Sequence, residues 1–253
     1  MLSQHGENFI KILDHIKPSK HAYEVFSDWL VLASASLYAW KKDERVEREY
    51  TEVAKQYTKE ELDKHAELLG LTVNALEEKE QDFLGEVFSM EGLTNSKNGQ
   101  FFTPYHISKL MAEMGIEKER LPKDRIWKLN DPSCGSGGML IAMAMALKEY
   151  EFDFQHDALF IGQDIDARCA RMAFIQLSLL GVPAVIYCMN TLTMQEYWYR
   201  ETIGYHLVGM EFRLRAEKMI DITKNLEQAE VELEPNKLVL GNPCKKVLQG
   251  ELF

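Results

Sequence analysis

The segment that most restricts what this chain can fold into is Lys128–Leu140, KLNDPSCGSGGML: a strand-like run ending on an acidic residue, a glycine-rich turn, and a helix-forming run. Glycines at 135, 137 and 138 permit a tight backbone turn and let a ligand approach main-chain N–H groups near a helix N-terminus. Asp131 is placed to meet an ammonium group there. An ordinary strand-to-helix turn is the alternative reading of the segment taken alone. The next strand-like run, ALFIGQD, ends in Asp164, 33 residues after Asp131. In an open parallel sheet ligands bind outside the carboxyl ends of the strands, where an acidic side chain can hold both ribose hydroxyls. Asp164 takes that role, with a helix cap as its alternative; Asp166 is the weaker candidate for the same role, its alternative being the N-cap of the following helix. The loop is CGSGG rather than GxGxxG, and Asp131 would face a pyrophosphate with a negative charge. The pattern therefore suits an amino-acid-bearing nucleoside better than a diphosphate.

Around this segment, short apolar runs alternate with helical stretches, which predicts an α/β architecture. Strands are expected near Ile126–Asn130, Ala158–Gln163, Ala184–Cys188 and Lys237–Leu240, and helices near Met139–Tyr150 and Ala167–Leu180. The strands are expected to be parallel and covered by helices on both faces. The charged stretch from about Gln195 to Glu234 is not assignable to one helix. The methionine-rich run MLIAMAMAL is expected to fill the gap between helix and sheet. Residues 1–98 read instead as successive helices. Phe26, Leu30, Leu37 and Tyr38, then Val46, Tyr50 and Val53, recur at three- and four-residue spacing and predict one buried stripe per helix. The charged run Lys41–Tyr50 is expected to be a solvated face. GLTNSKNG, residues 92–99, is turn-forming and marks the boundary between a helical domain, 1–98, and an α/β domain, 99–253.

Composition excludes several alternatives. Hydrophobic residues at 46% and charged residues at 27% argue for a folded globular chain and against disorder. The longest uncharged apolar stretch, Trp29–Trp40, is about a dozen residues against the roughly 20 needed to cross a bilayer. No secretory pattern opens the chain, so a cytoplasmic location without membrane association is the expectation. A net charge of −11 argues against autonomous, non-specific nucleic-acid binding. Cys134, Cys169, Cys188 and Cys244 include no CxxC pair and read as free thiols, and no metal site is expected.

The residues GQFFTP, DPSCGSGG, GQDID, MNTL and LVLGNP, in that order, resemble adenine-N6 DNA methyltransferases, and most closely the modification subunits of type I restriction systems. The resemblance covers roughly residues 99–243, and the helical region is similar to the domain preceding the catalytic fold there. It implies a Rossmann-like methyltransferase fold with a partial sheet, preceded by an all-α domain, and S-adenosylmethionine as cofactor. By the same resemblance, Gln100, Phe101, Phe102, Thr103 and Pro104 form part of the cofactor pocket, with Thr103 near the methionine carboxylate. Asp131 with Gly135, Ser136, Gly137 and Gly138 would hold the amino-acid end. Asp164 would bind the ribose, Ile165 would pack on the adenine ring, and Asn190 would hydrogen-bond the adenine edge. For Asn190 a turn residue is an equally good reading. His106, beside GQFFTP, reads as a surface or capping histidine.

The family's catalytic turn is Asn-Pro-Pro-aromatic, and this sequence has Asn242, Pro243, Cys244 and Lys245. The resemblance implies that the Asn242 side-chain oxygen and the Pro243 carbonyl accept hydrogen bonds from the target N6 amino group. Lys245 offers no π-face to a base flipped from the duplex. The sequence closes about ten residues after Asn242, where the family continues through further strands. The implied function is DNA adenine-N6 methylation with a specificity partner supplying DNA recognition, in a homo- or hetero-oligomer. The alternative is a catalytically silent cofactor-binding or interaction protein.

Overall fold

The computed structural model describes residues 3–89, 102–117, 121–122 and 125–208. These fall within one compact unit, Met1–Met210. The expected strand near Lys237–Leu240 and the expected boundary at 98/99 lie outside the described residues.

Five helices open the chain: α1 (Gln4–Ile16), α2 (Ala22–Tyr38), α3 (Glu44–Ala54), α4 (Lys59–Glu78) and α5 (Phe83–Phe88). Their starts are set by side chains that satisfy otherwise orphaned N–H groups. Ser3 caps α1, Asp43 caps α3 and Asp82 caps α5, while Thr58 and Glu61 form a reciprocal capping box on α4. The buried stripes of α1, α2 and α5 meet in an aromatic cluster. Phe9 stands edge-on to Trp29 with centroids 5.0 Å apart and to Phe83 at 5.9 Å, and Phe26 meets Phe88 at 5.7 Å. The stripe expected along α3 is thinner than its periodicity predicts: Val46 and Val53 pack only partly against the core, and Tyr50 is exposed.

After α6 (Tyr105–Gly115), the chain alternates β1 (Trp127–Asp131), α7 (Gly138–Glu149), α8 (Phe154–Asp157), β2 (Ala158–Asp164), α9 (Ala167–Leu179) and β3 (Ala184–Asn190). The three strands are parallel and adjacent in chain order, with Asp131 opposite Gly162 and Asp164 opposite Cys188. This is the expected α/β fold. The fourth strand of the sheet is a correction. β4 (Gln195–Glu201), in the stretch that the sequence left unassigned, pairs antiparallel with β3 through a register shift at Cys188/Met189. A parallel partner would need a long crossover, whereas four residues separate these two strands.

One core runs from the helical layer into the sheet, joining Phe9, Phe26 and Leu68 to Phe174, Phe160 and Ile186. Helix α2 packs on α9, and α9 on β2 and β3. The methionine-rich helix α7 is core as expected: its Leu140, Ile141, Met145 and Leu147 are buried.

Candidate functional site

All the parallel strands run the same way, so Asp131, Asp164 and Asn190 share one edge of the sheet. The glycine loop lies across the first two. Gly135 and Gly137 have φ of +54° and +93°, a region that side-chain-bearing residues rarely occupy. A Cβ on Gly137 would also stand 3.1 Å from the Ala173 Cα, so helix α9 can approach only a glycine there.

The loop is fastened to β2 by two links. Cys134 N–H donates to the Gln163 carbonyl at 2.8 Å, and Gly135 N–H donates to the Asp164 carboxylate at 2.9 Å. The other Asp164 oxygen accepts from Asp166 N–H at 2.8 Å. Asp131 accepts from Ser133 N–H at 3.0 Å. Each of these interactions uses one lone pair of an oxygen that carries two, so both carboxylates retain acceptor capacity. Burial raises the carboxyl pKa of Asp131, opposed by the Ser133 N–H. Burial also raises that of Asp164, opposed by the Asp166 and Gly135 N–H groups and reinforced by the charges of Asp166 and Asp131. Two desolvated acids so placed favour a ligand carrying positive charge and hydroxyl donors.

A cavity of about 580 Å³ opens over this edge, and among the residues lining it are Phe102, Thr103, Asp131, Gly135, Ser136, Gly138 and Asp164. That volume lies within the ordinary range for small-molecule sites. Seven of the residues proposed from sequence thus line one space. Gly137 shapes the loop as the N-cap of α7, and Pro104 is the N-cap of α6 and lines a larger groove that shares Phe102 and Thr103 with this cavity, together with the exposed His106. Ile165 follows Asp164 and is 58% exposed, an apolar surface at the strand end. The Asn190 side-chain oxygen accepts from Leu192 N–H and Thr193 N–H, both at 3.1 Å, so it closes the turn into β4, and among the described residues its amide NH₂ has no partner. Asp166 caps α9 by accepting from Arg168 N–H at 2.9 Å, and it also pairs with the Arg168 side chain. Gln100, Phe101, Asn242, Pro243, Cys244 and Lys245 lie outside the described residues.

The described site also contains residues that sequence reasoning did not single out. Met139 and Met143, taken from sequence as core, line the cavity, as does Cys134. Cys134, Cys169 and Cys188 are buried free thiols, and burial pushes the Cys134 thiol well above its ordinary range, which keeps it protonated and inert. Asp82 and Gln176 are the larger omission. Both are buried, and both bond to Ser136 of the loop. Asp82 carries an N-cap signal in sequence, but nothing in sequence brings it to a residue 54 positions away.

The site thus offers a ligand two acids with spare acceptor capacity and apolar surface at Ile165 and Phe102, a donor set that fits a cationic, hydroxyl-bearing nucleoside. Among the described residues no cluster of metal-ligating side chains occurs, and no helix is long and apolar enough to cross a membrane.

The family model described as N-6 DNA Methylase matches residues 79–222. Solved structures similar to this chain include one described as a class I S-adenosylmethionine-dependent methyltransferase from Listeria monocytogenes. It is 15% identical with a TM-score of 0.35, and the match covers 72% of this chain and 52% of that one. Another is the type I restriction-modification system methyltransferase subunit from Streptococcus thermophilus, also 15% identical with a TM-score of 0.35, with 71% and 55% covered. The chain spans about half the length of these structures.

Proposed function

Because this chain belongs to the N-6 DNA methylase family, whose cofactor is S-adenosylmethionine, we propose that it acts as an adenine-N6 DNA methyltransferase of the type I modification-subunit kind. DNA recognition would come from a specificity partner. The observation that carries the reading is the convergence of Asp131, Asp164 and the Gly135–Gly138 loop on one cavity at the carboxyl ends of β1 and β2. Two domains, 1–98 and 99–253, belong to the same proposal, as does the set of site residues.

The cofactor would supply a methyl group on a positively charged sulfur. Asp131 would hold its ammonium, Asp164 its ribose hydroxyls, and Thr103 would lie near its carboxylate. Ile165 would cover the adenine face, and the free amide NH₂ of Asn190 would donate to the adenine edge. Holding the donor by both ends fixes the direction in which the methyl group points, and such positioning lowers the barrier by removing orientational freedom before reaction. Asn242 and Pro243 would accept hydrogen bonds from the target amino group and align its nitrogen lone pair.

Cys244 and Lys245 support a second reading, a cofactor-binding protein that no longer transfers methyl groups, because Lys245 cannot stack on a flipped base. Co-expression with a specificity subunit, followed by mass spectrometry of nucleosides from co-purified or added DNA, separates the two. The methyltransferase reading expects N6-methyladenine, lost in Asn242→Ala. Cofactor binding without methylation in the presence of a competent partner would favour the silent reading.

A further inference from the structure

The Asp82 carboxylate is buried without a cation among its hydrogen-bond partners. One oxygen accepts from Gly85 N–H at 3.0 Å and from the Gln176 amide at 2.8 Å, and the other accepts from the Ser136 hydroxyl. Gln176 is fully buried on α9; its amide also donates to the Ser136 carbonyl at 2.9 Å, and its side-chain oxygen accepts from Leu84 N–H at 3.0 Å. This network ties three separate segments together: the start of α5, the middle of α9 and the glycine loop. The approach is close enough that a Cβ on Gly85 would overlap both Asp82 and Ser136.

Burying a carboxylate costs several kcal/mol unless its acceptors are filled, and a neutral group of the same shape would cap α5 more cheaply. Burial accordingly raises the Asp82 carboxyl pKa. A helix cap alone accounts for the Gly85 contact and leaves the other two unexplained. Those two converge on Ser136, whose loop neighbour Gly135 is held by Asp164. Consecutive loop residues are thus fixed by two different acids, one from the helical layer and one from β2.

We infer that Asp82 is a positioning residue for cofactor binding: acting through Ser136 and Gln176, it holds the Gly135–Ser136 stretch, and with it the Asp164 carboxylate that Gly135 N–H engages, in the place where the site meets the ligand. This rests on the reading of the cavity as the S-adenosylmethionine site. Asp82 itself reaches the wall of the cavity, but both of its carboxylate oxygens are engaged by Gly85, Gln176 and Ser136. Its part is to set the geometry of residues that meet the ligand.

The test is calorimetric titration of S-adenosylmethionine into the full chain, its Asp82→Asn and Ser136→Ala variants and the double variant, at a temperature where circular dichroism shows each folded. Amide exchange of residues 134–138 is measured on the same samples without ligand. Each single change is expected to weaken binding about tenfold, the double variant to weaken it no further, and loop exchange to accelerate in all three. Wild-type affinity in Asp82→Asn with only a lowered Tm would make the residue a plain helix cap and overturn the inference. Additive losses in the double variant would overturn its action through Ser136. If Asp82→Asn does not fold, Ser136→Ala still decides, since unchanged affinity and exchange there would refute the tie. No binding to the wild type would instead overturn the reading of the cavity, and the inference with it. Intact wild-type binding beside an indifferent Asp82→Asn variant refutes the inference alone.

Discussion

The two ends of the four-stranded sheet treat buried charge in opposite ways. At the β1–β2 end, Asp131 and Asp164 have backbone N–H partners only and still have lone pairs facing a cavity. At the β4 end, Arg200 is 3% exposed and its charge is paired within the protein: it bonds to Ser34, pairs with Glu49 at 3.0 Å, and lies against the rings of Tyr38, Phe174 and Trp198. Glu49 also receives Arg171 at 3.2 Å. Burial is comparable in kind, but the pairing of charge is not: among the described residues no cation pairs with Asp131 or Asp164, whereas Arg200 and Arg171 share Glu49. A polar network that joins layers pairs its charges within the protein, and a binding site leaves buried charge for a ligand to meet.

Breaking the closed network should cost stability and leave ligand affinity alone. Arg200→Ala is expected to lower unfolding free energy by about 3 kcal/mol, the lower end for a broken buried pair because Glu49 remains partly exposed. Urea denaturation checks the loss, and S-adenosylmethionine affinity should stay within twofold of wild type. A large affinity loss would erase the contrast between the two ends.

A buried histidine in the helical layer predicts acid sensitivity. His65 is buried against the Tyr57 ring with both ring nitrogens unpartnered, and burial lowers its pKa from 6.5 to about 4. The unfolded chain takes up this proton first, so stability present above pH 6.5 is lost as pH falls from about 6.5 to about 4. The whole loss is on the order of 3 kcal/mol. His65→Gln should flatten the pH dependence of Tm across that window.

At the open end, Gly137→Ala forces a side chain into a positive φ and against Ala173, with an expected loss of about 2 kcal/mol and weakened ligand binding together. Asp131→Asn sharpens the comparison further. Removing a carboxylate whose charged form is disfavoured by burial should leave Tm unchanged or slightly higher, while weakening cofactor binding about tenfold, or about 1.4 kcal/mol. Opposite movement of stability and affinity is the signature of a site rather than a scaffold.

How far this was legible in the sequence follows the same division. Asp131, the glycine loop and Asp164 are readable because strand end, turn and helix start are local patterns, and parallel topology then brings the two strand ends side by side. The boundaries of α7, α9 and the three parallel strands fall within about two residues of expectation. The long-range ties are not readable. Glu49 lies in a charge run that looks merely solvated, and only the fold brings it to Arg171 and Arg200. Asp82 looks like a helix cap, which it is, and its second role depends on contacts 54 and 94 positions distant. β4 shows alternation in Tyr197, Trp198, Tyr199 and Arg200, but the flanking charges of Gln195–Glu234 obscure it. Tyr50 has helical periodicity with Val46 and Val53, yet α3 packs too shallowly to cover it.

The most direct test of the central claim is a calorimetric titration of S-adenosylmethionine into the wild-type chain and into Asp164→Ala. Asp164 fastens the loop at Gly135 and retains acceptors toward the cavity, so saturable binding by the wild type and a loss of at least about a hundredfold in the variant are expected, or about 3 kcal/mol. Wild-type binding that survives unchanged in Asp164→Ala would contradict the placement of the cofactor at this edge of the sheet.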